Sequence, residues 1–218
     1  MKESNLTPAQ LMRSNLIDRF PDVNTAREVY DFIMGEEPAA PKPDYPDGVY
    51  LVDEDGRAVP YGSGEGDPAR HVGVVLKVGD IAFRIGDKDQ KDVTLINRED
   101  DGSTGTPFYV EDWALARMRT AGKTDTERIR EIGTDIQLAP DEYIPSLHEL
   151  YLMFIWIHLI NGALEFIGHE PLAESWYWSS TEYSATYAWY LYFNYGGQSY
   201  NTKASDRLRV RPVSAFRF

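Results

Sequence analysis

Residues 187–197 read Tyr187-Ala188-Trp189-Tyr190-Leu191-Tyr192-Phe193-Asn194-Tyr195-Gly196-Gly197. Trp189, Leu191 and Phe193 alternate with Tyr190 and Tyr192, which is the two-residue period of an extended strand. One side of that strand is apolar and turned to a core. The other presents tyrosines. Gly196-Gly197 permits a turn. Further on, arginines alternate with Leu208 and Val210 over Arg207–Val213, which predicts a closing strand.

The segment around this strand differs in composition from the rest of the chain. Residues 176–218 contain two acids and five bases, for +3, whereas the whole chain carries −13. They also hold 13 of the aromatic residues, including seven of the 14 tyrosines. Tyr183, Tyr187, Tyr190, Tyr192, Tyr195 and Tyr200 are interleaved with Ser184, Thr186, Ser199, Asn201, Thr202 and Ser205. A packed aromatic core with cross-strand pairs is one account of this mixture. A binding surface is the better one. Tyr supplies rigid amphipathic area at low entropic cost, and small polar residues supply adaptable hydrogen bonds.

The chain as a whole has 218 residues, 42% hydrophobic and 26% charged, the composition of a folded globule. Its net charge of −13 argues against nucleic-acid binding, which requires cations to displace phosphate counterions, and against a polybasic membrane surface. Cysteine is absent, which removes disulfides, zinc-thiolate sites, iron–sulfur ligation and thiol catalysis together. The apolar run Leu150–Gly168 approaches the length of a membrane span. His158, Asn161 and Glu165 interrupt it, and Asn161-Gly162 reads as a helix stop, so the expectation is a fully buried helix and no membrane insertion. The N-terminal residues lack the apolar stretch of a signal peptide.

Upstream, the patterning predicts short amphipathic helices over 8–20 and 25–34, the second capped by Asn24, followed by a Pro-rich linker at 36–47. The expected organisation is a helical segment 1–35, the linker, and a binding domain 48–218. Within that domain, Gly48–Val52 is a strand turned at 53–56 into Arg57–Tyr61. A hairpin around Gly79 joins 72–78 to 80–85, and 86–107 is a polar loop. Helices are expected over 109–119 and 124–132, the latter opened by the box Thr124-Asp125-Thr126-Glu127. A second box, Ser146-Leu147-His148-Glu149, precedes the buried apolar helix. The sum is an α+β fold.

Catalytic and metal chemistry finds little support. His148-Glu149 begins like a zincin motif but lacks the second histidine at helical spacing. His71, His148, His158 and His169 read as satisfied core or surface residues. Asp53, Asp55, Asp87, Asp89 and Asp92 do not match a calcium loop and read as solvated turns. Gly62-Ser63-Gly64-Glu65-Gly66 is followed by Asp67-Pro68 rather than by a Lys-bearing helix, so it is not a phosphate cradle. No catalytic residue, metal site or cofactor is expected.

Trp178-Ser179-Ser180-Thr181-Glu182-Tyr183, then Ala188-Trp189, then Arg209-Val210-Arg211-Pro212-Val213-Ser214-Ala215-Phe216 resemble the C-terminal variable region of diversity-generating-retroelement variable proteins. Those of gut Bacteroidetes and their phages are closest. Gly48-Val49-Tyr50, Gly122-Lys123-Thr124-Asp125-Thr126 and Ile144-Pro145-Ser146-Leu147 with Glu149-Leu150 also fit, so the resemblance spans roughly residues 46–218. It implies a C-type-lectin fold of the formylglycine-generating-enzyme-like subclass and a non-enzymatic ligand-binding role. In that family, adenine-directed mutagenesis of Asn-type codons can yield Tyr, Ser, Thr, Ala, Gly, Asp, Leu or Arg, but not Trp, Lys, Glu, Gln or Met. The resemblance therefore assigns as variable, ligand-binding positions Ser184, Ala185, Thr186, Tyr187, Tyr190, Tyr192, Tyr195, Ser199, Tyr200, Asn201, Thr202, Ala204, Ser205 and Asp206. Trp189, Gln198 and Lys203 fall outside the accessible set and are expected to be fixed scaffold, with Trp178, Leu191, Phe193, Val210 and Val213 as buried frame. The cysteines of the enzyme that shares the fold are missing, and so are the calcium-lectin sugar motifs.

The resulting expectation is a receptor-binding protein on a phage virion surface. Its ligand is a protein or glycan of a target cell, and residues 1–35 are a candidate contact to a virion structural partner. The alternatives are a non-diversified adhesin or carbohydrate-binding module of the same fold, and a bacterial protein exported by an unrecognised route.

Overall fold

Runs of apolar residues broken by turn-forming glycines form the short strands that dominate the regular structure of the described residues. The computed structural model describes residues 45–64, 66–97 and 109–218. The chain divides into two units, Met1–Tyr45 and Pro46–Phe218, and the described residues belong almost entirely to the second. The helices expected at 8–20 and 25–34, the linker up to residue 44 and the segment 98–108 lie outside the described residues.

Eleven strands, four α-helices and one 3-10 turn, Pro68–Arg70, are described. The strands are β1 (Gly48–Asp53), β2 (Ala58–Pro60), β3 (His71–Val78), β4 (Ile81–Ile85), β5 (Gln90–Val93), β6 (Glu142–Tyr143), β7 (Trp176–Glu182), β8 (Tyr187–Tyr192), β9 (Gly197–Thr202), β10 (Leu208–Val210) and β11 (Val213–Ala215). The helices are α1 (Trp113–Ala116), α2 (Gly122–Ile132), α3 (Leu147–Ile155) and α4 (Ile157–Phe166). One sheet has the order β2-β1-β3-β4-β11-β6, and the other has the order β5-β10-β7-β8-β9. All pairings are antiparallel except β10 with β7. The fold is α+β.

The main core lies between the sheets. Val49 and Leu51 of β1, Val74 and Leu76 of β3, and Phe83 and Ile85 of β4 meet Leu150 and Met153 of α3 and Ile160, Ala163 and Leu164 of α4. Tyr177, Trp189, Leu191 and Phe193 close it from the second sheet. The opposite side of that sheet is also covered. Trp178, Ala188, Leu208 and Val210 pack with Leu95, Ile96, Ile129 of α2, Ile136 and Ile144 in a smaller cluster. The second sheet is therefore sandwiched, and its β7–β8 centre is fixed from both sides.

The expected capping box at Ser146 is present. Ser146 Oγ accepts from Glu149 N, and Glu149 Oε2 accepts from Ser146 N at 2.7 Å. Glu149 is buried and also accepts from Tyr143 Oη at 2.7 Å, and burial raises its pKa above the ordinary carboxylate value. The box at Thr124 is absent. The α2 helix starts two residues earlier, behind Ala121, with no side-chain cap. Thr126 Oγ1 instead turns inward, donating to Gly122 O and accepting from Ile144 N.

Other expectations need correction. The apolar run is not one buried helix: α3 and α4 meet at Trp156 at an angle of 79°. No single helix among the described residues is long and apolar enough to cross a membrane. Ile155 is 68% exposed, and Leu159 is exposed as well. Asn161-Gly162 does not stop the helix. The Asn161 side chain bonds the Leu172 backbone through both its amide N and its O, and a Cβ on Gly162 would stand 2.9 Å from Tyr61 Oη. The packing against 61 and 172 selects those residues inside α4. The segment expected as a helix over 109–119 makes a single turn, α1, and the 86–107 loop contains β5. The closing strand over 207–213 is split into β10 and β11, in different sheets.

The split is held by a buried ionic hub. Asp89, expected in a solvated turn, has a side chain with 0% exposure, as does Arg211. Arg211 Nε donates to Asp89 Oδ1 at 2.6 Å, and its Nη1 donates to the carbonyls of Gly86 and Glu170. Tyr177 Oη donates to Asp89 Oδ2 at 2.5 Å, and Arg209 Nη1 donates to the same oxygen at 3.2 Å. Burial, then the Asp89 charge, pushes the Tyr177 pKa up.

Candidate functional site

The β8 strand is the spine of the tyrosine-rich surface, and its register is regular. Tyr187 faces Thr202, Trp189 faces Tyr200, Tyr190 faces Ser199, Leu191 faces Gln198 and Tyr192 faces Gly197. Residues directly opposite in an antiparallel pair share one side of the sheet. Trp189, Leu191, Tyr187, Tyr200 and Thr202 thus lie on the side of the main core. Tyr190, Tyr192, Ser199 and Asn201 lie on the other, with Trp176 and Trp178 of β7.

The tyrosines accordingly form two clusters and not one patch. On the core side, beyond the buried Trp189, Tyr183 stacks on Tyr200 with centroids 3.9 Å apart and planes within 10°. Tyr187 meets Tyr200 edge-on at 5.5 Å, and Trp189 meets it at 5.8 Å. On the other side, Trp176 packs against Tyr190 at 6.4 Å and Tyr192 at 5.6 Å, and Tyr192 meets Tyr195 at 4.9 Å. Tyr187 opens β8 and Tyr200 sits within β9.

None of the assigned variable residues is buried. Tyr187, Tyr195, Ser199, Tyr200 and Ser205 are exposed, and Ser184, Ala185, Thr186, Tyr190, Tyr192, Asn201, Thr202, Ala204 and Asp206 are partly so. Tyr195 reaches 71% exposure. Some also shape their own turns. Ser184 Oγ accepts from Thr186 N and Tyr187 N, and Asp206 Oδ2 accepts from Thr202 N at 2.8 Å. Tyr190 packs partly on the smaller cluster, as does Ala204.

The residues outside the accessible set are anchored. Trp189 is buried and its Nε1 donates to Val110 O at 2.7 Å. Gln198 Oε1 accepts from Arg117 Nε at 2.5 Å, and the Arg117 guanidinium lies over the rings of Trp113 and Tyr151. Lys203 has 0% side-chain exposure and pairs at 2.8 Å with Glu182, itself 7% exposed. The Lys203 backbone ties three segments together: its N donates to Thr186 O, and its O accepts from Leu95 N and Ile96 N. Gly196 turns the chain into β9 at φ +72°, and a Cβ there would stand 2.5 Å from Phe154 of α3. Both the left-handed backbone and the close ring select glycine.

The assigned variable positions omit Trp176 and Tyr183, although both enter these clusters. Their signal was present: Trp176 stands two residues before Trp178, on the same side of β7. Among the described residues no group of three or more His, Asp or Glu side chains is placed to hold a metal ion. His148 Nδ1 bonds Arg117 O, and His158 is exposed. His169 differs from expectation, because its Nδ1 is buried without a partner and burial lowers its pKa.

No protein-family model and no curated protein matches the sequence. A solved structure of a fimbrial protein from Bacteroides ovatus is similar in fold, with TM-score 0.55 at 13% identity. The match covers 79% of this chain and 49% of that one, so this chain spans about half the length of that protein.

Proposed function

We propose that this chain is a non-enzymatic binding protein of the C-type-lectin fold, a diversity-generating-retroelement variable protein, with its ligand surface on 183–206. One observation carries the reading: the partition of side chains along β8, β9 and the flanking turns. Every position reachable by adenine-directed change and assigned to the ligand is solvent-accessible, while Trp189, Gln198 and Lys203 are tied into the frame. Substitution at exposed positions moves stability little, whereas substitution of those three does not leave the frame intact. The ligand in this reading is a protein or glycan of a target cell, no cofactor takes part, and the protein is displayed on a phage virion with residues 1–35 toward its structural partner.

The test is genetic and cheap. The adjacent DNA should hold a near-repeat of this segment whose differences fall at template adenines, beside a reverse-transcriptase gene. Without both, diversification is excluded for this locus. Binding of the purified protein to whole cells of candidate hosts, with Tyr192→Ala as control, tests the binding role separately.

The second reading is a fixed adhesin of the same fold. The likeness in fold to a fimbrial protein favours it. It predicts the same cell binding and no template repeat.

A further inference from the structure

The cations on the C-terminal segment are not scattered. Lys91, Asp92, Ser175, Trp176, Arg207, Leu208 and Arg209 line a cleft of about 210 Å³ at the start of β7. The lining carries three cations and the Asp92 carboxylate, and two of the cations have a carboxylate partner just outside it, so Arg207 supplies the uncompensated positive charge. Lys91 pairs with Glu170 at 2.8 Å, and Arg209 reaches the buried Asp89. Arg207 Nη1 donates to the Asp92 carbonyl at 3.0 Å, and among the described residues no carboxylate pairs with it. Trp176, 50% exposed, is both a wall of the cleft and the first ring of the row Trp176, Tyr192, Tyr195. The cleft and the aromatic row are thus one continuous surface.

We infer that this surface is a subsite for a saccharide bearing an anionic group, carboxylate or sulfate. A guanidinium offers several fixed donors to such an oxyanion, and an ammonium adds charge without demanding geometry. The C–H face of a pyranose ring packs on the exposed indole, and neighbouring tyrosine hydroxyls reach its hydroxyl groups. Small convergent polar groups beside an apolar wall are the ordinary makeup of a ligand subsite. Trp176 and Lys91 lie outside the assigned variable positions. The subsite therefore fixes one feature of the ligand, and Tyr192 and Tyr195 adjust what surrounds it. This inference rests on the reading of the β8–β9 region as a binding surface, but not on its diversification.

The full chain is tested on immobilised sialylated, uronate-bearing and sulfated glycans, with lactose as the neutral control and a poly-glutamate peptide as the anionic one. Binding of acidic glycans should exceed that of lactose and of the peptide by at least about tenfold, and should fall as salt rises. Comparison of the carboxylated and sulfated arms identifies the anion. Trp176→Ala, and separately the pair Lys91→Ala with Arg207→Ala, should each reduce acidic-glycan binding at least about tenfold with the melting temperature retained. Equal binding of lactose, equal binding of the peptide, absence of acidic-glycan binding, or indifference to these substitutions overturns the inference. If whole cells are still bound in a Tyr192-dependent way, only the anionic subsite falls. If cell binding is absent as well, the binding surface itself is refuted.

Discussion

Lys203→Met removes the cation from a pair that has almost no contact with water. The ammonium has 0% exposure and the Glu182 carboxylate 7%, at 2.8 Å. Met conserves most of the volume, so the cost is electrostatic: Glu182 loses the ammonium 2.8 Å from its carboxylate in a site with almost no water. Breaking one partner of such a pair costs about 3–5 kcal/mol. In a domain of this size each kcal/mol moves the midpoint by roughly 2–4 °C, so the expected drop is roughly 6–20 °C. Replacing both partners, Lys203→Met with Glu182→Leu, removes the buried carboxylate together with its ammonium and should recover most of the loss, to within about 1 kcal/mol of the parent. Denaturant unfolding of the parent, both single variants and the double variant gives the coupling energy directly. Amide exchange should localise the damage. The Lys203 backbone holds Thr186, Leu95 and Ile96, so protection should fall at 95–96 and at Lys203 in the single variant. A single-variant cost below about 1 kcal/mol would mean that the pair is effectively solvated and adds little to the frame.

The other outcomes are simpler to measure. Trp189→Ala should lose about 3–5 kcal/mol of stability by denaturant melt, since it empties a buried indole site and leaves Val110 O without its donor. Gly196→Ala should destabilise by more than about 1 kcal/mol, because φ is +72° and Phe154 occupies the space; a neutral result would contradict the turn geometry. Tyr192→Ala should weaken cell binding at least about tenfold with an unchanged melt, while Tyr190→Ala should also lower stability by about 1–2 kcal/mol, being packed on the smaller cluster. Glu149 has its folded pKa raised above 4.5, mainly by burial, so its contribution is most favourable below 4.5 and is lost as pH rises through the folded value. Subtracting the stability–pH curve of Glu149→Gln should reveal that fall, and a difference that grows with pH would reverse the assignment.

The sequence by itself determined the local features. Alternation along 189–193 settled which side of β8 is core, because a strand places successive side chains on opposite faces whatever surrounds it. The Ser146–Glu149 box was equally legible, since its hydrogen bonds close within one helical turn. The same alternation placed Tyr190 and Tyr192 away from the main core, whereas Tyr187 and the small polar positions were assigned by the resemblance. Tertiary structure decided what depends on distant partners. Asp89 reads as a solvated turn until Arg211, 122 residues away, is brought beside it, and the partner that lets the Lys203 ammonium be buried, Glu182, lies 21 residues away. The break at Trp156 was hidden because both helix segments are apolar and only their packing against different sheets bends them. The division of the tyrosines into two clusters was also hidden. Tyr200 joins the core side because β9 pairs with β8 in the register that sets it opposite Trp189. A shift of one residue would have moved it to the other face, and the pairing of two strands, not the alternation within either, sets that choice.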